Sequence, residues 1–204
     1  MMTDMNMNEF LNVLSSKEPV PGGGGACGYV AAVGMSLGNM VLALTTGKKK
    51  YAEYQDEIEK LIVRANDLTK ELAECMDKDA KAFKPLSEAY GLPKDTDEQL
   101  KHREDVMERA LIAASEAPLS MMEVIVEAIG LIDRISVIGS RLAISDAGVG
   151  VQMCKAALNG ASLNTKLMKD TDVADDMNTR ADELIIRGNQ MADEVYDRVM
   201  DCVR

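Results

Sequence analysis

The sequence predicts an all-α protein: an antiparallel bundle of about five to six long helices, dimeric, in a single domain covering residues 1–204. Three observations lead there. Apolar residues recur at spacings of three and four along most of the chain, the period of one buried helix face. No run alternates with period two for long enough to make a strand. The core-forming residues are helix-compatible, with 3% aromatics, no Trp and 15 Met beside Leu, Ile, Val and Ala.

Taken in order, the first segment runs from roughly Thr3 to Leu14, with Met7, Phe10, Leu11 and Leu14 at helical spacing. Pro19-Val20-Pro21 stops it, and four glycines follow at 22–25. Ala26 to Thr46 reads as a long small-residue helix closed by Gly47. The next helix has the clearest stripe, through Ile58, Leu61, Ile62, Ala65, Leu68, Leu72, Met76, Phe83 and Leu86, and Gly91-Leu92-Pro93 ends it. Lys94 to Glu108 is a turn and the polar start of another helix, which Pro118 is expected to kink or restart. Met121, Met122, Ile125, Ile129 and Ile132 give its second half an apolar face. Ser145 reads as an N-cap with Asp146 at the positive end of the dipole, and that helix is expected to end at Asn159-Gly160. A connector through Asn164 leads to a last helix from about Asp172 to Met200.

Residues 19–47 carry no charge, and Gly34-x-x-x-Gly38 is a close-packing pattern also found in membrane helices. The stretch is rich in Gly and Ala and holds Ser36, Asn39, Thr45 and Thr46, while every other helix is amphipathic. A buried bundle helix is therefore expected, not a span. Its small face, Gly28, Ala31, Gly34 and Gly38, suits close helix packing, and a homodimer with this helix near the shared surface is the expectation.

Composition narrows the partners. Lys and Arg total 23 against 34 Asp and Glu, a net charge of -11, which repels a phosphate backbone and argues against nucleic acid. Cys27, Cys75, Cys154 and Cys202 form no C-x-x-C pair and His102 is the only histidine, so neither a metal site nor a Cys-His nucleophile is expected. Four scattered thiols and no basic-then-apolar leader point to the cytoplasm.

Three features carry chemistry. The glycine run lets backbone approach a ligand, and the helix start behind it offers free N–H groups. It is not a phosphate loop, since G-x-x-x-x-G-K-[ST] is absent; a lone glycine run also reads as a flexible loop. Asp79 lies on the apolar stripe, three residues after Met76 and four before Phe83. A carboxylate there is functional or is paired to a neighbouring helix. Lys48-Lys49-Lys50 follows the glycine-rich helix and reads either as a solvated helix end or as a seat for carboxylates.

The ordered motifs Pro19-Val20-Pro21-Gly22-Gly23-Gly24-Gly25-Ala26, Leu44-Thr45-Thr46-Gly47-Lys48-Lys49-Lys50-Tyr51, Asp77-Lys78-Asp79-Ala80-Lys81-Ala82-Phe83, Tyr90-Gly91-Leu92-Pro93-Lys94 and Ser145-Asp146-Ala147-Gly148-Val149 resemble the cyclodeaminase/cyclohydrolase family. The likeness covers almost the whole chain. Where many members have Ser, Gly-Asn and a second Asn, this chain has Gly25, Gly139-Ser140 and Met168. The resemblance implies a dimeric helical enzyme that acts on a tetrahydrofolate derivative as substrate, with no metal and no tightly bound cofactor. Methenyltetrahydrofolate cyclohydrolase is favoured slightly over formiminotetrahydrofolate cyclodeaminase, since no transferase domain is present in this chain. By the same resemblance Asp79 and Asp146 are the catalytic candidates. Gly22, Gly23, Gly24, Gly25, Asn39 and Asn164 are expected to bind substrate, and Lys48 and Lys49 to meet the glutamate carboxylates of a folate, polyglutamylated or not. The rival reading is a non-catalytic acidic helical scaffold, which would not require an uncharged glycine run followed by lysines.

Overall fold

The structure, a computed structural model, describes residues 1–167 and 172–204. Six α-helices carry it: α1 (Met7–Leu14), α2 (Gly23–Ala43), α3 (Gln55–Ala89), α4 (Asp97–Ile138), α5 (Ile144–Thr165) and α6 (Asp172–Val203), with no strand among the described residues. Helices α2, α3, α4 and α5 form an antiparallel four-helix ring, and α6 lies across α4 and α5. The register is visible in side-chain pairs. Arg64 and Arg134 of α3 and α4 reach Glu127 and Glu57 across their antiparallel seam, and Asn159 and Asn189 exchange amide hydrogen bonds of 2.9 Å between α5 and α6. The interior is filled by Leu68, Leu72, Met121, Met122, Ile125, Ile129 and Ile132, each fully buried.

Several boundaries differ from the sequence expectation, each for a tertiary reason. Helix α1 starts at Met7, capped reciprocally by Asn6 and Glu9, while Met2–Asp4 form a separate short turn. That turn is strapped to α3: Met2 N–H donates to Asp77 Oδ1 (2.7 Å) and the Thr3 hydroxyl to Asp77 Oδ2 (3.1 Å). The glycines at 23–25 are not a loop before α2 but its first turn. Pro118 neither breaks nor restarts α4, which is one helix of 42 residues. Ser145 is not an N-cap, because the short helix Arg141–Ala143 runs directly into α5 with Ala143 in that position. Asn159-Gly160 does not end α5 either. A Cβ at Gly160 would lie 2.8 Å from Cys27 Sγ, so the glycine is there for contact with α2, not for a turn.

Helix α2 is long and apolar enough to cross a membrane by length and composition, with a mean hydropathy of 1.5. Here it packs between α3 and α5. Its small face is used for close helix packing inside the subunit, as the small-residue spacing led one to expect. A Cβ at Gly28 would meet the Leu72 carbonyl of α3 at 3.0 Å, and one at Gly38 would meet Ile132 of α4 at 3.0 Å. Gly34 and Gly150 face each other across α2 and α5, each Cβ position only 2.6 Å from the other's carbonyl oxygen.

Candidate active site

The start of α2 creates the site. Gly22 occupies the N-cap position and has no side chain to accept the free amides of the first turn. Asp79, two-thirds of the way along α3, supplies the missing acceptor by taking a hydrogen bond from Gly25 N–H. A Cβ on Gly24 would collide with that carboxylate, so glycine is what lets α2 and α3 close at this level. Asp79 makes no ion pair among the described residues; its partner is a helix N-terminus, not the salt bridge a structural reading of the sequence would supply.

Around this carboxylate is a pocket of about 150 Å³, lined by Pro19, Val20, Gly22, Gly23, Gly24, Asp79, Phe83, Ala114, Asn164 and Leu167. The Asn164 side-chain amide stands 3.5 Å from where a Cβ on Gly23 would lie, so the α5 end meets the α2 start here. Burial pushes the Asp79 pKa above the ordinary carboxylate value, and the Gly25 amide offsets only part of that shift. The Cys27 thiol, on the next turn of α2, is pushed up to about 11, first by burial and then by the Asp79 charge. It is therefore a thiol, not a thiolate, at neutral pH. On the α4 wall, Pro118 has no N–H to give the carbonyl of Ala114, a pocket residue.

The chemistry available is that of one partly desolvated carboxylate with an elevated pKa, beside hydrogen-bonding amides and the flat faces of Phe83 and glycine backbone. Such a carboxylate accepts a proton more readily than an ordinary aspartate and can stabilise a cation held against it.

The expected site residues separate into two groups. Gly22, Gly23, Gly24, Asp79 and Asn164 converge on the pocket. Gly25 stands just behind it, with its amide on Asp79, and a Cβ added there would lie 3.1 Å from the Pro21 side chain. Lys48, Lys49 and Asp146 are at the other end of the ring. Lys48 Nζ donates to Ser140 Oγ (3.2 Å), and Ser140 N–H in turn donates to the buried Thr45 hydroxyl (2.8 Å). Lys49 opens the short helix Lys49–Tyr54, and Asp146 is in the first turn of α5. Spanning α2, 21 residues at 1.5 Å each, separates the two ends by about 30 Å. Asn39 belongs to neither group, since its amide donates to Asn66 of α3 (2.8 Å). The family departure at Met168 lies outside the described residues.

Phe83, Ala114, Leu167, Pro19 and Val20 are pocket residues that sequence reasoning did not assign to the site. Phe83 carried a signal as the stripe residue one turn after Asp79, and Pro19 and Val20 as part of the motif that leads into the glycine run. At the lysine end the additional polar residues are Tyr51, whose hydroxyl accepts from Arg141 N–H (3.2 Å), and Arg141 itself. That hydrogen bond, with Ser140 and Lys50 nearby, holds the Tyr51 phenol below its ordinary pKa.

Residues 6–183 match the family model described as formiminotransferase-cyclodeaminase. Among curated proteins, the chain is 34% identical over 194 residues to methenyltetrahydrofolate cyclohydrolase from Methylorubrum extorquens, covering 93% of each chain. It is 27% identical over 176 residues to formimidoyltransferase-cyclodeaminase from Mus musculus, covering 86% of this chain but only 32% of that one. The chain thus spans about a third of the length of such two-activity relatives. Among solved structures, formiminotetrahydrofolate cyclodeaminase from Thermotoga maritima superposes with a TM-score of 0.88 at 21% identity, covering all of both chains, and so shares the fold.

Proposed function

The chain belongs to the formiminotransferase-cyclodeaminase family, and from that premise we propose that it is a folate one-carbon enzyme, a methenyltetrahydrofolate cyclohydrolase. The observation that carries the reading is the Asp79 carboxylate, held in a pocket by the first turn of α2, in a chain that aligns nearly end to end with a cyclohydrolase.

The substrate carbon lies in an amidinium cation between N5 and N10. Asp79 stabilises that cation and takes a proton from water as the new C–O bond forms. The tetrahedral carbon then closes to a formyl group on N10 as the bond to N5 breaks. Asp79 returns its proton to N5, and the hydroxyl proton leaves to solvent. One water is consumed and one proton is released. Asn164 and the amides of Gly22–Gly24 orient the ring system, and Lys48 and Lys49 bind the glutamate carboxylates. Asp146, far from the pocket in one subunit, is assigned an orienting role at the tail end and not proton transfer. The substrate is a tetrahydrofolate derivative, no tightly bound cofactor is required, and the enzyme is a cytoplasmic homodimer.

A second reading is formiminotetrahydrofolate cyclodeaminase, supported by the more distant formimidoyltransferase-cyclodeaminase relatives. There the same carboxylate manages protons as N10 attacks the formimino carbon and ammonia leaves. Following the methenyl chromophore from each substrate separates the two. A cyclohydrolase bleaches supplied methenyltetrahydrofolate well above the spontaneous rate, whereas a cyclodeaminase generates the chromophore from the formimino compound. Folded protein that accelerates neither reaction refutes both.

A further inference from the structure

Proton transfer by Asp79 requires that its carboxylate keep one aim, and the Gly25 amide sets that aim. The amide is only as fixed as the first turn of α2, which Gly22 leaves without a side-chain cap. Another element has to hold that turn in place.

The start of the chain does so, through Asp77. Two residues apart on α3, Asp77 and Asp79 are about 200° apart around the helix axis, so they leave it on different sides. Both oxygens of Asp77 are engaged, one by Met2 N–H (2.7 Å) and one by the Thr3 hydroxyl (3.1 Å). The side chain of that same Met2 is buried, and its sulfur lies 3.7 Å from the position a Cβ on Gly25 would take. Met2 is therefore held at its backbone by Asp77 while its side chain packs against Gly25.

Apolar contacts complete the attachment. Met2, Phe10 and Met76 are buried together, with Leu14, Val20, Tyr29 and Ala80 packed against them, as a cluster separate from the main core. Its members surround the working parts of the site. Met76 and Ala80 bracket Asp79 on α3, Tyr29 is one turn beyond Gly25 on α2, and Val20 is itself a pocket wall. The Phe10 and Tyr29 rings meet at 5.4 Å between centroids. So small a cluster can open while the ring of helices stays intact, which gives weight to the two charge-assisted hydrogen bonds that close it.

We propose that Asp77 is a positioning residue: by fastening the N-terminal strap it presses Met2 against the first turn of α2 and keeps the Gly25 amide, and through it the Asp79 carboxylate, aimed at the reacting carbon. The effect on turnover rests on the folate reading above; the effect on α2 does not. The two aspartates of Asp77-Lys78-Asp79 thus act on one helix start, Asp79 directly and Asp77 through Met2.

The test compares two variants with the parent. Asp77→Ala removes both acceptors. Asp77→Asn keeps both contacts, since its amide oxygen accepts from Met2 N–H and its NH2 group can donate to the Thr3 hydroxyl. Each protein is followed by methenyltetrahydrofolate kinetics, by hydrogen exchange with mass spectrometry over residues 19–29, and by thermal melting. For Asp77→Ala, kcat is expected to fall about tenfold, the mark of a loosened aim. KM should change by less than about threefold, because Ala114 and Asn164 are supplied by α4 and α5, not by the segment that loosens. Amides of 19–29 should exchange about tenfold faster or more, while those of α4 and α5 keep the parental rate and the melting temperature barely moves. Asp77→Asn should recover most of the lost kcat and protection. Parental kcat in Asp77→Ala, a kcat loss without faster exchange at 19–29, or an Asn variant as impaired as the Ala variant overturns the inference. So does a loss that comes with early melting of the whole molecule, which makes Asp77 structural. If Asp77→Ala does not fold, Thr3→Val, which removes one of the two hydrogen bonds, is judged by the same criteria with a smaller expected effect. A parent inactive on both folates overturns the functional reading alone, and the exchange comparison still decides whether Asp77 holds the start of α2.

Discussion

At Asp79 two effects oppose each other, and burial outweighs the Gly25 amide. Asp79→Asn keeps the shape and still accepts from Gly25, so it should fold while turnover falls on the order of a hundredfold or more. The parental rate should decline as pH falls through a value above the ordinary carboxylate range, and the variant's residual rate should lack that limb. Stability has the matching sign. Folding takes up a proton at Asp79 between its ordinary and its raised pKa, so parental stability is lost as pH rises through that window. The variant should therefore melt no lower than the parent at neutral pH, with its relative advantage shrinking in acid; thermal melts at several pH values check this. A variant that melts early but retains parental turnover would make Asp79 structural. Asp79 was legible in the sequence because a charge on an apolar stripe is an anomaly. Ala114 and Leu167 were not, because an apolar residue at a pocket wall looks like any other core residue. Asn39 was read as a site residue from motif alone, Asp146 from motif and its place at a helix start, and Lys48 from motif and local charge, none of which carries information about their separation along the bundle.

At the scale of helices, the contact of Gly34 with Gly150 sets how closely α2 and α5 approach. Gly34→Ala must push them apart, at a cost of about 1–3 kcal/mol, visible as a lower midpoint in denaturant. Gly34→Ala/Gly150→Ala should cost less than the sum of the single changes, because one separation accommodates both methyl groups. Gly23 and Asn164 lie on the same seam, so KM should rise with the loss of stability. The long stripes of α3 and α6 were readable because their amphipathic period repeats over many turns. Helix ends at the glycine run and Asn159-Gly160, and the alternative of a restart at Pro118, were misread for one shared reason. Residues that break isolated helices are retained here where another element needs close approach or a missing N–H, and tertiary packing holds the helix through them.

For the molecule as a whole, charge and apolar surface act in opposite directions. Added salt screens repulsion between two chains of net charge -11 and should tighten the proposed homodimer, while it should weaken the proposed capture of a polyglutamate tail by Lys48 and Lys49. Sedimentation and KM measured over one salt series should move in opposite senses. Val149→Glu places a charge where the isolated subunit is already open to water. It should leave the helical content unchanged and, with the proposed homodimer paired through this exposed face, yield monomers at micromolar concentration, which sedimentation reads out. A variant that stays dimeric would exclude the α5 face as the contact.

The hydrogen bond from Gly25 to Asp79 also provides an instrument. A backbone amide proton that points at an ionising oxygen changes its chemical shift as that oxygen gains or loses charge. The nitrogen-15-resolved resonance of Gly25 is therefore a built-in electrode for the carboxylate, readable without substrate or turnover. Its titration midpoint is expected above that of an ordinary aspartate, and the inflection should vanish when Asn replaces Asp79.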